Sequence, residues 1–115
     1  MVTKNTDGVG LWVVPGETYR YTAGPRGGDE INKIISNKYN TPSIEFTKIG
    51  PKFLVERGNL NLVVTGNVIF DLKINNVIVN GIVNRSYYLK KGDFIDLKYT
   101  KDSNYGYLSI KNGFL

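Results

Sequence analysis

The stretch Asn67-Val68-Ile69-Phe70-Asp71-Leu72-Lys73-Ile74-Asn75-Asn76-Val77-Ile78-Val79-Asn80-Gly81 decides the fold class of this chain. Val68, Phe70, Leu72 and Ile74 share one parity while Asp71 and Lys73 occupy the other. Side chains alternate across a strand, so this pattern describes a ribbon with one dry and one wet face. Asn75-Asn76 supplies the left-handed backbone that a two-residue hairpin turn requires. Val77 to Val79 forms the return arm, and Asn80-Gly81 is the strongest short turn signal in the sequence. A further strand is entered through Gly92-Asp93, where Ile95, Leu97 and Tyr99 alternate with Phe94, Asp96 and Lys98. The middle of the chain is therefore expected to be an antiparallel meander. Asp93, held between Gly92 and a strand, is expected to bond backbone amides of its own turn.

Working towards the N-terminus, Leu60, Leu62 and Val64 share a face. Phe53 and Val55 alternate with Lys52, Leu54 and Glu56, and Ile44 and Phe46 alternate with Glu45 and Thr47. Gly50-Pro51 and Arg57-Gly58-Asn59 supply the turns between them. Leu11 to Val14 forms an apolar strand stopped by Pro15-Gly16, and Glu17 to Thr22 a second strand with Tyr19 and Tyr21 on one face. Residues 1–9 are expected to be frayed. The single helical signal runs from Asp29 to Asn37, where Ile31, Ile34 and Ile35 recur at helical spacing, with Asp29 as N-cap and Glu30 in the first turn. Asn40-Thr41-Pro42 closes it. Tyr105 to Lys111 makes the last strand. Many short strands with one short helix argue for one mainly β domain over residues 1–115, a small barrel or sandwich whose edges are paired or closed.

Composition limits the chemistry. The 115 residues carry neither cysteine nor histidine. That removes disulfides, thiolate nucleophiles, imidazole metal ligands and the Ser-His and Cys-His pairs. No catalytic residue, metal site or cofactor is assigned from the sequence. The net charge of +5 is scattered, with Lys90-Lys91 the longest basic run, and describes a solvated surface. The eight tyrosines and Trp12 raise the alternative of base stacking in a small barrel. No repeated aromatic-basic motif accompanies them, and nucleic acid is a disfavoured partner. No apolar run approaches the roughly 20 residues of a membrane span, so the expectation is a cytoplasmic protein with no membrane partner. The stretch with the strongest claim to a ligand is the Gly-rich segment before the helix. There Arg26 supplies charge, and Gly27, Gly28 and Asp29 shape backbone donors at a helix start. It lacks the Gly-Lys-Ser/Thr ending of a P-loop, and a plain loop is its bland reading.

Three separated runs carry a family resemblance: Leu60-Asn61-Leu62-Val63-Val64-Thr65-Gly66; Tyr88 to Leu97, with Gly92-Asp93 inside it; and Tyr107-Leu108-Ser109-Ile110-Lys111-Asn112-Gly113-Phe114. Together with Gly27-Gly28-Asp29 and an Asn eight residues on, at Asn37, they resemble the first half of the allophanate hydrolase subunit 2 family. That family includes the biotin-dependent carboxyltransferase domains of urea amidolyase, the C subunit of 5-oxoprolinase and the Kip-type antikinase antagonist. The sequence departs from the pattern at Asn112-Gly113, where the family carries a double glycine, and it ends at Leu115, where members continue through a second barrel. The resemblance implies a closed, cyclophilin-like β-barrel that works against a companion protein subunit and is not active alone. The function expected from it is a non-catalytic binding or assembly module with room for a small-molecule ligand. The alternatives are one chain of a split ATP-dependent amidase or carboxyltransferase, and a single-stranded nucleic-acid-binding barrel.

Overall fold

The computed structural model describes residues 2–4, 8–14, 21–24, 28–38 and 41–114. Eleven strands and one helix are present among them: β1 (Val2–Lys4), β2 (Gly10–Val13), β3 (Tyr21–Gly24), α1 (Gly28–Ile34), β4 (Ser43–Thr47), β5 (Lys52–Arg57), β6 (Asn59–Gly66), β7 (Val68–Ile74), β8 (Val77–Asn80), β9 (Tyr87–Lys90), β10 (Phe94–Thr100) and β11 (Tyr105–Ile110), with a 3-10 turn at Lys101–Ser103. The ladders divide into two antiparallel sheets. One has the order β1-β2-β5-β10-β7-β8 and the other β3-β4-β11-β6-β9. The expected class, mainly antiparallel β with one short helix, is thus observed. No helix among the described residues is long and apolar enough to cross a membrane.

Alternation places the core as the pattern requires. Phe53, Val55, Leu60, Leu62, Val64, Phe70, Leu72, Ile95, Leu97 and Leu108 from both sheets meet in one buried cluster, and Ile74 packs at its margin. Each such side chain, fully buried, contributes about 1.5–3 kcal/mol of hydrophobic stabilisation before entropy is set against it.

Four expectations are corrected. First, the stretch from Asn67 to Tyr99 is not a simple meander. The β7–β8 hairpin is present, with Asn75 and Asn76 at φ 52° and 65°. After it, β9 crosses to the other sheet and pairs with β6, while β10 returns to pair with β7 on one side and β5 on the other. Second, Asn80-Gly81 is not a turn. The Gly81 N–H extends the ladder by donating to the Phe70 carbonyl at 2.9 Å. Glycine is required there because a Cβ would lie 2.1 Å from the Phe70 ring. Third, the segment expected to fray contains β1, which pairs with β2, and Val9 is buried. Fourth, α1 begins at Gly28, so Asp29 stands inside the helix rather than at its cap, and the regular helix ends at Ile34. The expected strand segment Glu17 to Arg20 and the turn at Pro15-Gly16 lie outside the described residues.

The helix covers a sheet from outside. Ile31 and Ile35 pack with Val63 and the half-buried Tyr107 in a small cluster of their own. Val63 has the opposite parity to Leu62 and Val64, so this cluster lies on the far side of β6 from the main core. Ile34, the third residue of the expected stripe, is 39 % exposed.

Candidate functional site

The sequence-nominated loop divides between two zones. Arg26 and Gly27 lie outside the described residues, whereas Gly28 and Asp29 form the first turn of α1. One turn further along, Asn32 is buried, and its Oδ1 has no hydrogen-bond partner among the described residues. Its Nδ2 donates to the Thr41 carbonyl at 3.5 Å, the outer limit of a hydrogen bond. Ser43 and Ser109 are buried on the same outward parity of β4 and β11 that carries Glu45 and Tyr107.

Asn37 pins the helix exit to the end of β11. Its Nδ2 donates to the Ile110 carbonyl at 2.9 Å, and its Oδ1 accepts the N–H of Asn112 at 2.8 Å. Lys111 reaches the Ser36 carbonyl from the same turn. Of the residues carrying the resemblance, Asn37 therefore has a backbone-bridging role. Asp93 has another. It is buried, its Oδ2 accepts the Lys90 N–H at 3.0 Å and its Oδ1 the Asn75 N–H at 3.1 Å. One carboxylate thus locks its own turn, as expected, and also the tip of the β7–β8 hairpin.

A second region was not legible in the sequence. Across the outer face of the six-stranded sheet the registers align Trp12 with Leu54, Leu54 with Phe94, Phe94 with Lys73, and Lys73 with Ile78. All five have the parity opposite to the core. Trp12 is 36 % and Ile78 69 % exposed, Lys73 is exposed, and Leu54 and Phe94 are half-buried. Lys52 and Lys73 place their ammonium groups 5.0 Å and 5.8 Å from the centre of the Phe94 ring, within cation–π range. These residues line a shallow cleft with Asp71, Asp96 and Lys98. Lys98 is bonded to Asp71 at 3.1 Å, and that hydrogen bond holds its ammonium pKa above the ordinary lysine value. Asp71 and Asp96 stand directly opposite each other across β7 and β10, and with Lys52, Lys73 and Lys98 around them they form a polar rim on this sheet face. Such a rim suits contact with another surface.

The family model for the carboxyltransferase domain, subdomain A and B, matches residues 29–115. The chain belongs to this carboxyltransferase family. The Kluyveromyces lactis urea amidolyase structure superimposes on 90 % of the chain with a TM-score of 0.73 and 20 % identity, over 7 % of its own length. The urea carboxylase of the same organism gives the same TM-score, identity and coverage of this chain, over 10 % of its length. This family member thus spans a tenth or less of those two large proteins, and at that identity they establish its fold alone. No curated protein matches it.

Proposed function

We propose that the chain is a non-catalytic binding or assembly module of the carboxyltransferase family, which presents its six-stranded sheet to a companion subunit. One observation carries this reading: in the outer row from Trp12 to Ile78, Trp12, Lys73 and Ile78 are exposed and Leu54 and Phe94 half-buried, whereas the other sheet is covered in part by α1. Exposed and half-exposed aromatic and aliphatic groups in one line, rimmed by charged residues of both signs, suit a surface that another protein covers. The absence of histidine and cysteine from the sequence weighs against nucleophilic chemistry by this chain alone. In the assembled state we take the two sheets as a closed, cyclophilin-like barrel; their shared core supports that reading.

The ligand contact of this module is proposed at Arg26, Gly27, Gly28 and Asp29. Support comes from the buried Asn32 Oδ1 one turn along α1, an unmatched acceptor suited to an N–H of a small amide. A second reading rests on the small share of the urea carboxylase and amidolyase chains that this one spans. In it the chain is one part of a split amidase or carboxyltransferase whose reactive groups lie on other polypeptides.

The test is co-expression of the chain with the products of adjoining genes, followed by size-exclusion chromatography. The assembly reading expects co-elution that Trp12→Ser weakens; elution of the chain alone with every product would remove it. Thermal shift with 5-oxoproline, urea, allophanate, biotin and ATP, against Arg26→Ala, tests the ligand loop. Turnover of any of these only in the co-eluted complex favours the split enzyme.

A further inference from the structure

The six-stranded sheet ends at β8, whose sequence Val77-Ile78-Val79-Asn80 carries no charge and no proline. An edge of that kind is a template for another strand. Its open side can be assigned. Leu72 opposes Val79, and the Gly81 N–H donates to the Phe70 carbonyl. Antiparallel bonding alternates along a strand, so Val77, Val79 and Gly81 turn their backbone groups to β7, and Ile78 and Asn80 turn theirs outward. The open row is short. The next outward amide, that of Ile82, donates to the Tyr87 hydroxyl at 3.0 Å, and at the other end lies the Asn75-Asn76 turn. Ile78 and Asn80 are therefore the open positions, and no ladder partner meets them among the described residues.

Two open residues with Val79 between them are complementary to themselves. About a two-fold axis beside Val79, β8 pairs antiparallel with β8 of a second copy. Ile78 then exchanges both backbone bonds with Asn80 of the copy, Asn80 does so with Ile78 of the copy, and Val79 stands opposite Val79. No other symmetric register uses all the open groups. The side chains agree with it. Val77, 61 % exposed, comes to stand opposite Gly81 of the copy, where the Phe70 ring fills the place of the missing side chain. Ile78, 69 % exposed, gains Ile78 of the copy as its diagonal neighbour. The charge of the outer face is mixed, with Lys73 opposite Ile78 and Asp71 opposite Asn80. Across the two-fold axis the row Lys73-Ile78 runs on into Asn80-Asp71 of the copy, so the basic end of each row is in line with an acidic end. A strand with charges of one sign would suit one of these rows and oppose the other.

We propose that β8 is a self-association edge, at which two copies of this chain join as a two-fold dimer and their six-stranded sheets become continuous. The contact is a pair of four-residue strands, well short of the roughly 1,200–2,000 Å² of a stable interface. The dimer is therefore reversible and forms at high protein concentration. The two-fold axis occupies β8 of both copies, so the contact closes at two and does not grow into a fibre. It uses the edge of the sheet and not its face. The inference accordingly does not depend on the companion subunit, and it sets two of the rows from Trp12 to Ile78 side by side.

The chain has no cysteine, so single-cysteine variants of the full chain report the register directly. Val79→Cys places two thiols at a non-hydrogen-bonded pair with Cα atoms about 4.5 Å apart, within disulfide reach. Ile78→Cys places them on the diagonal, about 7–8 Å apart and beyond it. Under mild oxidation at high protein concentration Val79→Cys is expected to form the disulfide dimer several times faster, although Ile78 is the more exposed residue. In the isotope-labelled wild-type chain, dilution should shift the Ile78 and Asn80 amide signals and speed their hydrogen exchange, while exchange at Ile82, already bonded to Tyr87, stays unchanged. Ile78→Pro removes an outward N–H from each copy without removing a β7 bond, and should weaken association by about tenfold or more. Ile78→Lys, which asks less of the backbone and brings like charges onto the diagonal, should weaken it as well. Disulfide formation no faster in Val79→Cys than in Ile78→Cys, signals at Ile78 and Asn80 that ignore dilution, or association untouched by Ile78→Lys would each overturn the proposal.

Discussion

Asn37 and Asn112, 75 positions apart, are joined by a side-chain-to-backbone hydrogen bond of 2.8 Å, and the other end of the same Asn37 amide holds the Ile110 carbonyl at 2.9 Å. One planar group therefore satisfies a donor and an acceptor at the end of β11. Asn37→Ala removes its bond to the Asn112 N–H and one of the two donors to the Ile110 carbonyl, which keeps the Gly113 N–H, and a loss of about 1–2 kcal/mol is expected in urea unfolding. Asn37→Asp keeps only the accepting half, so it should fall between alanine and wild type.

Asp93 is a sharper case because it is buried and both its oxygens accept backbone N–H groups. Asp93→Ala strands the Lys90 and Asn75 amides, and a cost of about 2–4 kcal/mol is expected. In Asp93→Asn one oxygen is replaced by a donor that faces an N–H. Amide exchange at Asn75 and Lys90 should accelerate in both variants, and a variant with unchanged exchange at both would contradict the assigned role.

Gly81 tests packing rather than hydrogen bonding. A methyl group at this position meets the Phe70 ring, which is buried and stands edge-on to Tyr87 at 6.4 Å between centroids. Gly81→Ala should cost about 1–3 kcal/mol by overpacking and shift the Tyr87 ring signals. If the position were merely a turn glycine, alanine would leave Tyr87 undisturbed.

The Lys98–Asp71 pair sets the direction of one pH effect. The bond to Asp71 raises the Lys98 pKa on folding, so its contribution is complete below the ordinary lysine pKa and is lost as pH rises through the raised value. The melting difference between wild type and Lys98→Met should therefore be small and flat from neutral pH to mild alkali, then close in strong alkali. High salt should reduce it at every pH, because the lysine is exposed.

The residues differ in how far their roles could be read from the chain itself. Val68, Phe70 and Leu72 announce their inward face by alternation, Asn75-Asn76 its turn, and Asp93 its own loop, because each depends on neighbours in sequence. Gly81 was misleading since a glycine can answer either a turn or a close approach, and the ring that demands it is Phe70, eleven positions away. The pairing of β10 between β5 and β7 depends on which edges are free once β9 has joined β6, a choice made in three dimensions. The candidate surface was hidden for the same reason: Trp12, Leu54, Phe94, Lys73 and Ile78 come from five strands and become a line only through their registers. The nominated loop was conspicuous for its glycines, while Asn32, the buried amide with an unmet oxygen, looked like one more polar residue on a short helix.

Because Ile31, Ile35 and Val63 form a cluster separate from the main interior, the helix and the rest of the molecule have different thermodynamic fates. Detaching α1 uncovers only that small outside patch and leaves the space between the sheets filled, so its amides are expected to exchange through openings far cheaper than global unfolding. A molecule gripping the start of α1 would then announce itself as protection confined to one short segment, with the strands keeping their own rates.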